Sequence, residues 1–181
     1  KTYKNQIINV SYSEGYNAPP ASLSYIAALN KINDNLVPEK AKMFEFSAQG
    51  LLFKTRFDYQ ISLFSLSINN KLSTLSALNG SIPYTYTANT GNQLNKGFEA
   101  SLGYVFDTEN AFLTKITPFV ECSFYDFSYT DFKTIIGGIY ADFTDNKVVG
   151  VPKTKYAVGL DFATKIGLYL NTTYNYLSEE K

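Results

Sequence analysis

Histidine and tryptophan are absent from this 181-residue chain, and cysteine occurs once, at Cys122. Without His the commonest general base and metal ligand near neutral pH is missing. A single cysteine excludes an intrachain disulfide and any Cys-x-x-Cys site. Charge of one sign is lacking too: 16 basic residues balance 16 acidic ones, so no basic patch invites nucleic acid. No apolar run approaches the roughly 20 residues of a membrane helix. That last absence does not touch strands, which cross bilayers with a much weaker sequence signal. A catalytic carboxylate pair has no supporting motif, and neither an enzyme activity nor a bound cofactor is expected.

What is abundant is Tyr and Phe, 15 and 14 of them, set in period-two patterns. The chain is organised around Tyr84 to Phe106. Phe98, Ala100, Leu102, Tyr104 and Phe106 fall on one face, and Gly97, Glu99, Ser101, Gly103 and Val105 on the other. Side chains of a strand alternate between faces. Because Ile82, Tyr84, Tyr86 and Ala88 keep the same phase, the pattern predicts one strand far longer than the usual five or six residues.

Further strands are predicted at Asn5–Ser13, Met43–Gln49, Arg56–Ile68, Thr117–Asp131, Lys155–Ala163 and Leu168–Tyr176. In the third of these the apolar phase slips by one after Leu63, to Phe64, Leu66 and Ile68. It slips again after Phe124, to Tyr125, Phe127 and Tyr129. Each slip signals either a β-bulge or passage out of an apolar zone. The connections read as long (14–42, with one or two helical turns at 22–32), short (from Gly50), long (69–81), short (107–115, near Asn110), long (133–153, marked by Gly137 and Gly138) and short (164–167).

The fold class that results is all-β: an antiparallel up-and-down meander of about seven long strands. Alternating long and short connections suit part of a transmembrane β-barrel, which keeps short turns on one side of the membrane and long loops on the other. Tyr and Phe near strand ends suit an interfacial aromatic girdle, although aromatics favour strands in general. The period does not say which face is inside. Glu45, Asp58, Glu99, Glu121 and Asp161 lie opposite the apolar faces, and they fit a wet lumen or an aqueous exterior equally. Two readings stay open: an outer-membrane transport barrel, and a lipocalin-like or small outer-membrane barrel that binds an apolar ligand.

Several stretches resemble the later barrel strands of TonB-dependent outer-membrane receptors. They are Tyr12-Ser-Glu-Gly-Tyr-Asn-Ala-Pro19, Leu36-Val-Pro-Glu39 with Phe44-Glu45, Phe57 to Ile68, Asn89-Thr-Gly91 with Gly97-Phe-Glu99, and Val151-Pro-Lys153. None is specific alone; their order carries the resemblance. The plug domain, TonB box and closing aromatic-ended strand of that family are not visible, so residues 1–181 are expected to be a C-terminal portion of such a barrel. The resemblance implies energised uptake of a scarce ligand, often an iron-siderophore complex, at the cell outer membrane. The implied partners are the lipid bilayer, a TonB complex engaged through the N-terminal part, and a small-molecule or metal-chelate ligand.

Ligand contacts are expected in the long loops, at Tyr16, Asn17, Tyr25, Tyr140 and Asp142. Aromatic and polar groups together offer flat apolar area and hydrogen bonds to a polar, ring-bearing chelate. Asp142, Asp145 and Asn146 offer oxygens for calcium, but the EF-hand spacing and its terminal Glu are missing, which favours a solvated turn.

Overall fold

The computed structural model describes residues 6–109, 112–136 and 139–179. The start expected at Asn5, the turn at Asn110 and the loop glycines Gly137 and Gly138 lie outside them. The strands are β1 (Gln6–Asn17), β2 (Tyr25–Ile26), β3 (Lys31–Ile32), β4 (Glu39–Leu52), β5 (Phe57–Asn69), β6 (Leu72–Asn79), β7 (Ile82–Asn89), β8 (Asn92–Tyr104), β9 (Phe106–Asp107), β10 (Leu113–Asp131), β11 (Lys133–Ile136), β12 (Ile139–Asp142), β13 (Thr154–Thr164) and β14 (Tyr169–Leu177). Seven of them form one sheet in the order β1-β4-β5-β8-β10-β13-β14, with β9 paired to β10. Every pairing is antiparallel between neighbours in the meander.

Continuous registers place side chains of different strands on common rows. One row runs Val10, Phe46, Leu63, Phe98, Phe124. Another runs Tyr59, Leu102, Val120, Val158, Tyr174. These rows build an apolar face that no other described residue covers: Val10 is 74% and Tyr174 63% exposed. Among the described residues the only buried hydrophobic side chains are Ile68 and Ala157, so the sheet does not wrap a core of its own. On β10 the apolar run from Ile116 to Phe124 measures roughly 25 Å along the strand, or about 20 Å of depth at a tilt near 40°.

Several expectations are corrected. The strand predicted from Ile82 through Phe106 is broken at Thr90–Gly91. Gly91 has φ +119°, and a Cβ there would run into the carbonyl oxygen of Asp131. Upstream of that break β7 pairs with β6 in a separate hairpin, while β8 joins the main sheet. The segment 69–81, expected as a loop, therefore contains β6. Gly50 does not open a connection, because β4 continues to Leu52; the turn comes at Phe53, Lys54 and Thr55, all at positive φ. The first long connection is 18–38 rather than 14–42. It holds two 3-10 turns, Ala21–Leu23 and Ala27–Leu29, and the β2–β3 pair. The 133–153 loop carries the β11–β12 hairpin.

The phase slips are not bulges. Register runs unbroken through Leu63/Phe64 and through Phe124/Tyr125. Irregularities fall instead at Leu113/Lys115 and Tyr129/Asp131. The apolar residues beyond each slip therefore sit on the opposite face of the sheet.

Candidate functional site at the loop-bearing end

Along the middle of the sheet the face opposite the apolar rows is polar and internally paired. Ser62 Oγ donates to Glu45 Oε1 (3.1 Å), the Tyr125 hydroxyl donates to Glu99 Oε1 (2.6 Å), and Asn171 Nδ2 donates to Asp161 Oδ1. Among the described residues no buried side-chain nitrogen or oxygen lacks a partner. These carboxylates are thus already engaged within the wall.

Towards the end that carries the long connections, the same face turns aromatic. Phe64, Leu66 and Ile68 of β5 align through β8 with Tyr125, Phe127 and Tyr129 of β10. Gly97 lies between Phe64 and Tyr125, and the Phe64 ring folds over it into the space that a Cβ would need. Ring centroids lie 6.3 Å apart for Phe64–Tyr125 and Phe64–Phe127, and 5.4 Å for Tyr125–Phe127. Offset and edge contacts at such separations are favourable beyond area burial. Phe132 extends the cluster outward, 4.7 Å from Tyr129 and 5.3 Å from Phe143. Beside it Gln93 and Asn95 are buried on the same face, joined by a 2.8 Å hydrogen bond. The result is an aromatic wall with a buried amide pair beneath the loops.

The loops form a connected layer. Asn89 donates from Nδ2 to the carbonyls of Val37 (2.9 Å) and Asn70 (2.7 Å), and its Oδ1 accepts from Val37 N–H (2.9 Å). Asn33 Nδ2 donates to Thr87 O (2.8 Å), and Asn79 Nδ2 donates to Ala28 O (3.0 Å). Glu39 accepts from Leu72 N–H (3.0 Å) and faces Lys71 Nζ at 3.5 Å. The 18–38 connection is thereby fastened to the β6–β7 hairpin.

The five residues expected to contact ligand fall at separate places in this layer. Tyr16 and Asn17 end β1, with Asn17 opposite Glu39. Tyr16 stands on the face of Val10 and Tyr12, beneath Lys40 Nζ at 5.9 Å from its ring centroid. Tyr25 belongs to β2, its hydroxyl donating to Asn30 Oδ1 (2.8 Å). Tyr140 and Asp142 share the β11–β12 hairpin. Thr144, through its hydroxyl and its N–H (2.9 Å), holds the Asp142 carboxyl below its ordinary value. Lys133, opposite Asp142, is held above its ordinary value by Asp131 at 3.2 Å. The aromatic wall itself was not among the candidates. Its signal was present in the sequence as the two phase slips.

Three comparisons bear on this arrangement. No curated protein sequence matches the chain. Among solved structures, the FrpB iron transporter from Neisseria meningitidis (F3-3 variant) superposes with a TM-score of 0.63 at 15% identity, covering 98% of this chain and 25% of that one. The two share a fold, and this chain spans about a quarter of that transporter's length. The family model described as "TonB dependent receptor-like, beta-barrel" matches residues 2–181. With that match over nearly its whole length and a meander of long strands beneath it, the chain belongs to the TonB-dependent receptor β-barrel family.

Proposed function

We propose that this chain is the C-terminal portion of an outer-membrane receptor that imports a scarce, iron-bearing small ligand with energy supplied through TonB. The observation that carries the reading is the distribution of polarity over one sheet. A bare apolar band occupies one face, a paired polar wall the other, and all three long connections emerge at one end. In a membrane barrel the band meets lipid, the wall lines the lumen, and the long loops face outward. A lipocalin-type protein would enclose its apolar face, whereas here Val10 and Phe44 stand open.

The sheet has two edges, β1 and β14, each with one neighbour among the described residues. Backbone groups at membrane depth have to be hydrogen-bonded, which supports these strands being part of a larger closed barrel. The C-terminal placement rests on the sequence resemblance, and the iron-bearing cargo on the likeness to an iron transporter. Within the proposal, ligand first meets the outer layer, Tyr25, Tyr140 and Asp142 of the loops with Asn17 and the rim residue Tyr16 at the end of β1, and the Phe64–Tyr125–Phe127 wall next. Deleting the gene of the full-length receptor should abolish growth on one iron chelate from a panel when iron is scarce. Collapsing the proton-motive force should stop uptake of that chelate in the wild type. Growth on every chelate without the receptor, or uptake indifferent to the force, would refute the assignment.

A further inference from the structure

On the face that holds the aromatic wall, two rows just beneath the loops carry no charged side chain. One runs Ser13, Met43, Leu66, Asn95, Phe127, and the next outward runs Gly15, Ala41, Ile68, Gln93, Tyr129. The charges that border them are already matched. Lys71 lies 3.5 Å from Glu39, and Lys133 lies 3.2 Å from Asp131. The row on the inner side contains Glu45, which takes the Ser62 hydroxyl, and reaches Lys153 beyond Tyr125. That row therefore brings one charge of each sign.

Asn95 and Gln93 occupy the middle of the two charge-free rows. Each is 6% exposed and flanked by larger side chains, Leu66 and Phe127 for Asn95, Ile68 and Tyr129 for Gln93. Gln93 Nε2 donates to Asn95 Oδ1 (2.8 Å), and among the described residues neither side chain makes another hydrogen bond. Gln93 Oε1 and Asn95 Nδ2 are left without a protein partner. Every fully enclosed side-chain polar atom among the described residues has one, so these two open onto the face. Exchanging O and N in both amides leaves the same pair, one acceptor and one donor. Apolar side chains of similar shape would close the wall without leaving amide groups half-satisfied. An acceptor and a donor set among apolar flanks make strong hydrogen bonds once a ligand excludes water.

We propose that Gln93 and Asn95 read the backbone of the imported ligand, an iron chelate built on a peptide and carrying no excess negative charge. An extended residue directs its N–H and its C=O to the same edge of the chain, and these two groups complement the free Oε1 and Nδ2. The apolar parts of such a ligand lie against Leu66 and Phe127. A tricatecholate or citrate chelate brings several negative charges, for which the two rows hold no cation. The inference rests on the receptor reading above and adds the class of cargo to it.

The test uses the full-length receptor in outer-membrane vesicles, with binding read from radioactive iron retained on the membranes. The probes are a ferric cyclic-peptide trihydroxamate, the same compound with its backbone amides N-methylated, a ferric tricatecholate and ferric citrate. The wild type should bind the first about tenfold or more tighter than its N-methylated form, and tighter than either anionic chelate. The Q93M/N95L variant keeps the side chains close in volume and removes both amides. It should bind the parent and N-methylated compounds equally, at the wild-type level for the N-methylated one. The comparison of the two compounds on the wild type needs no substitution, so it decides even where the variant fails to insert. Equal binding of both by the wild type overturns the amide reading, and so does an unchanged preference in the variant. Preference for the tricatecholate or citrate overturns the cargo class and leaves iron uptake in place. Retention of none of the four chelates overturns the receptor reading together with this one.

Discussion

At the scale of the residue, period two is a statement about environment, and single substitutions test which environment each face meets. Leu160 lies on the apolar face between Pro118 and Thr172. Arginine there, one row from the centre of the band at Val120 and Val158, should cost about 2 kcal/mol or more of barrel stability. The comparison residue is Ser101, on the polar face between Gln60 and Glu121, where Leu160→Arg's penalty should not be matched by Ser101→Arg. Gly159, the immediate sequence neighbour of Leu160, is unsuitable as a control because the Phe119 ring fills the space over it. Folding equilibria of the two arginine variants in detergent or lipid would check this, and equal stability would count against lipid contact. The Phe64–Gly97 joint gives a second prediction. Any side chain at Gly97 displaces the Phe64 ring, so Gly97→Ala should destabilise by about 1–3 kcal/mol through overpacking. Truncating the ring in the Gly97→Ala/Phe64→Leu double variant should return part of that loss. A purely additive double-mutant cycle would show that the contact is not the cause.

At the scale of the element, strands inside the band were readable and elements outside it were not. Phe57, Tyr59, Ile61 and Leu63 alternate cleanly because β5 has one bare apolar face and one polar, paired face. β6, by contrast, reads Leu-Ser-Thr-Leu-Ser-Ala-Leu-Asn. It projects among the loops, where neither face has a fixed solvent, and no alternation marks it. β7 and β8 share a phase by coincidence of count, so the break at Gly91 was hidden from a reading by period alone. The aromatic wall is half-legible: the sequence shows the slips at Phe64 and Tyr125, but only the register shows that they change face rather than bulge. The contacts that fix the loops were not readable at all, since Asn89 and Val37 are 52 residues apart. Asn89→Ala removes one acceptor and two donated bonds, at a local cost of about 1–3 kcal/mol. Segment 18–38 should then exchange its amide hydrogens faster and be cut sooner by protease, while β4, β5 and β8 keep their protection. Unchanged exchange across 18–38 would mean that the Asn89 clamp does not hold the loop.

At the scale of the whole molecule, the proposed receptor function makes the division of labour between sheet and loops testable. The main-sheet strands are joined to each other through registers of up to thirteen consecutive pairs on β4 and β5, independently of what the loops contain. The loops hold to one another through side chains such as Asn33, Asn79 and Asn89. A rigid scaffold that carries variable, self-supporting loops is the arrangement in which loops take the recognition role. Residues 18–38 and 132–153 of the full-length receptor can therefore be replaced by short turns without loss of the seven-stranded sheet. The truncated receptor should insert and resist extraction like the wild type, yet fail to support uptake, because Tyr25, Tyr140 and Asp142 leave with the loops. Tyr16 and Asn17 remain on β1 in that variant, which makes it discriminating. If uptake persists at the normal concentration dependence, the loop residues are not the ligand contacts. If affinity falls but uptake persists at high ligand, the Phe64–Tyr125–Phe127 wall and the end of β1 carry recognition without the outer layer. Substituting Tyr125 by Leu in the same background, which keeps the apolar area but removes the ring and the hydroxyl bonded to Glu99, should then abolish what remains.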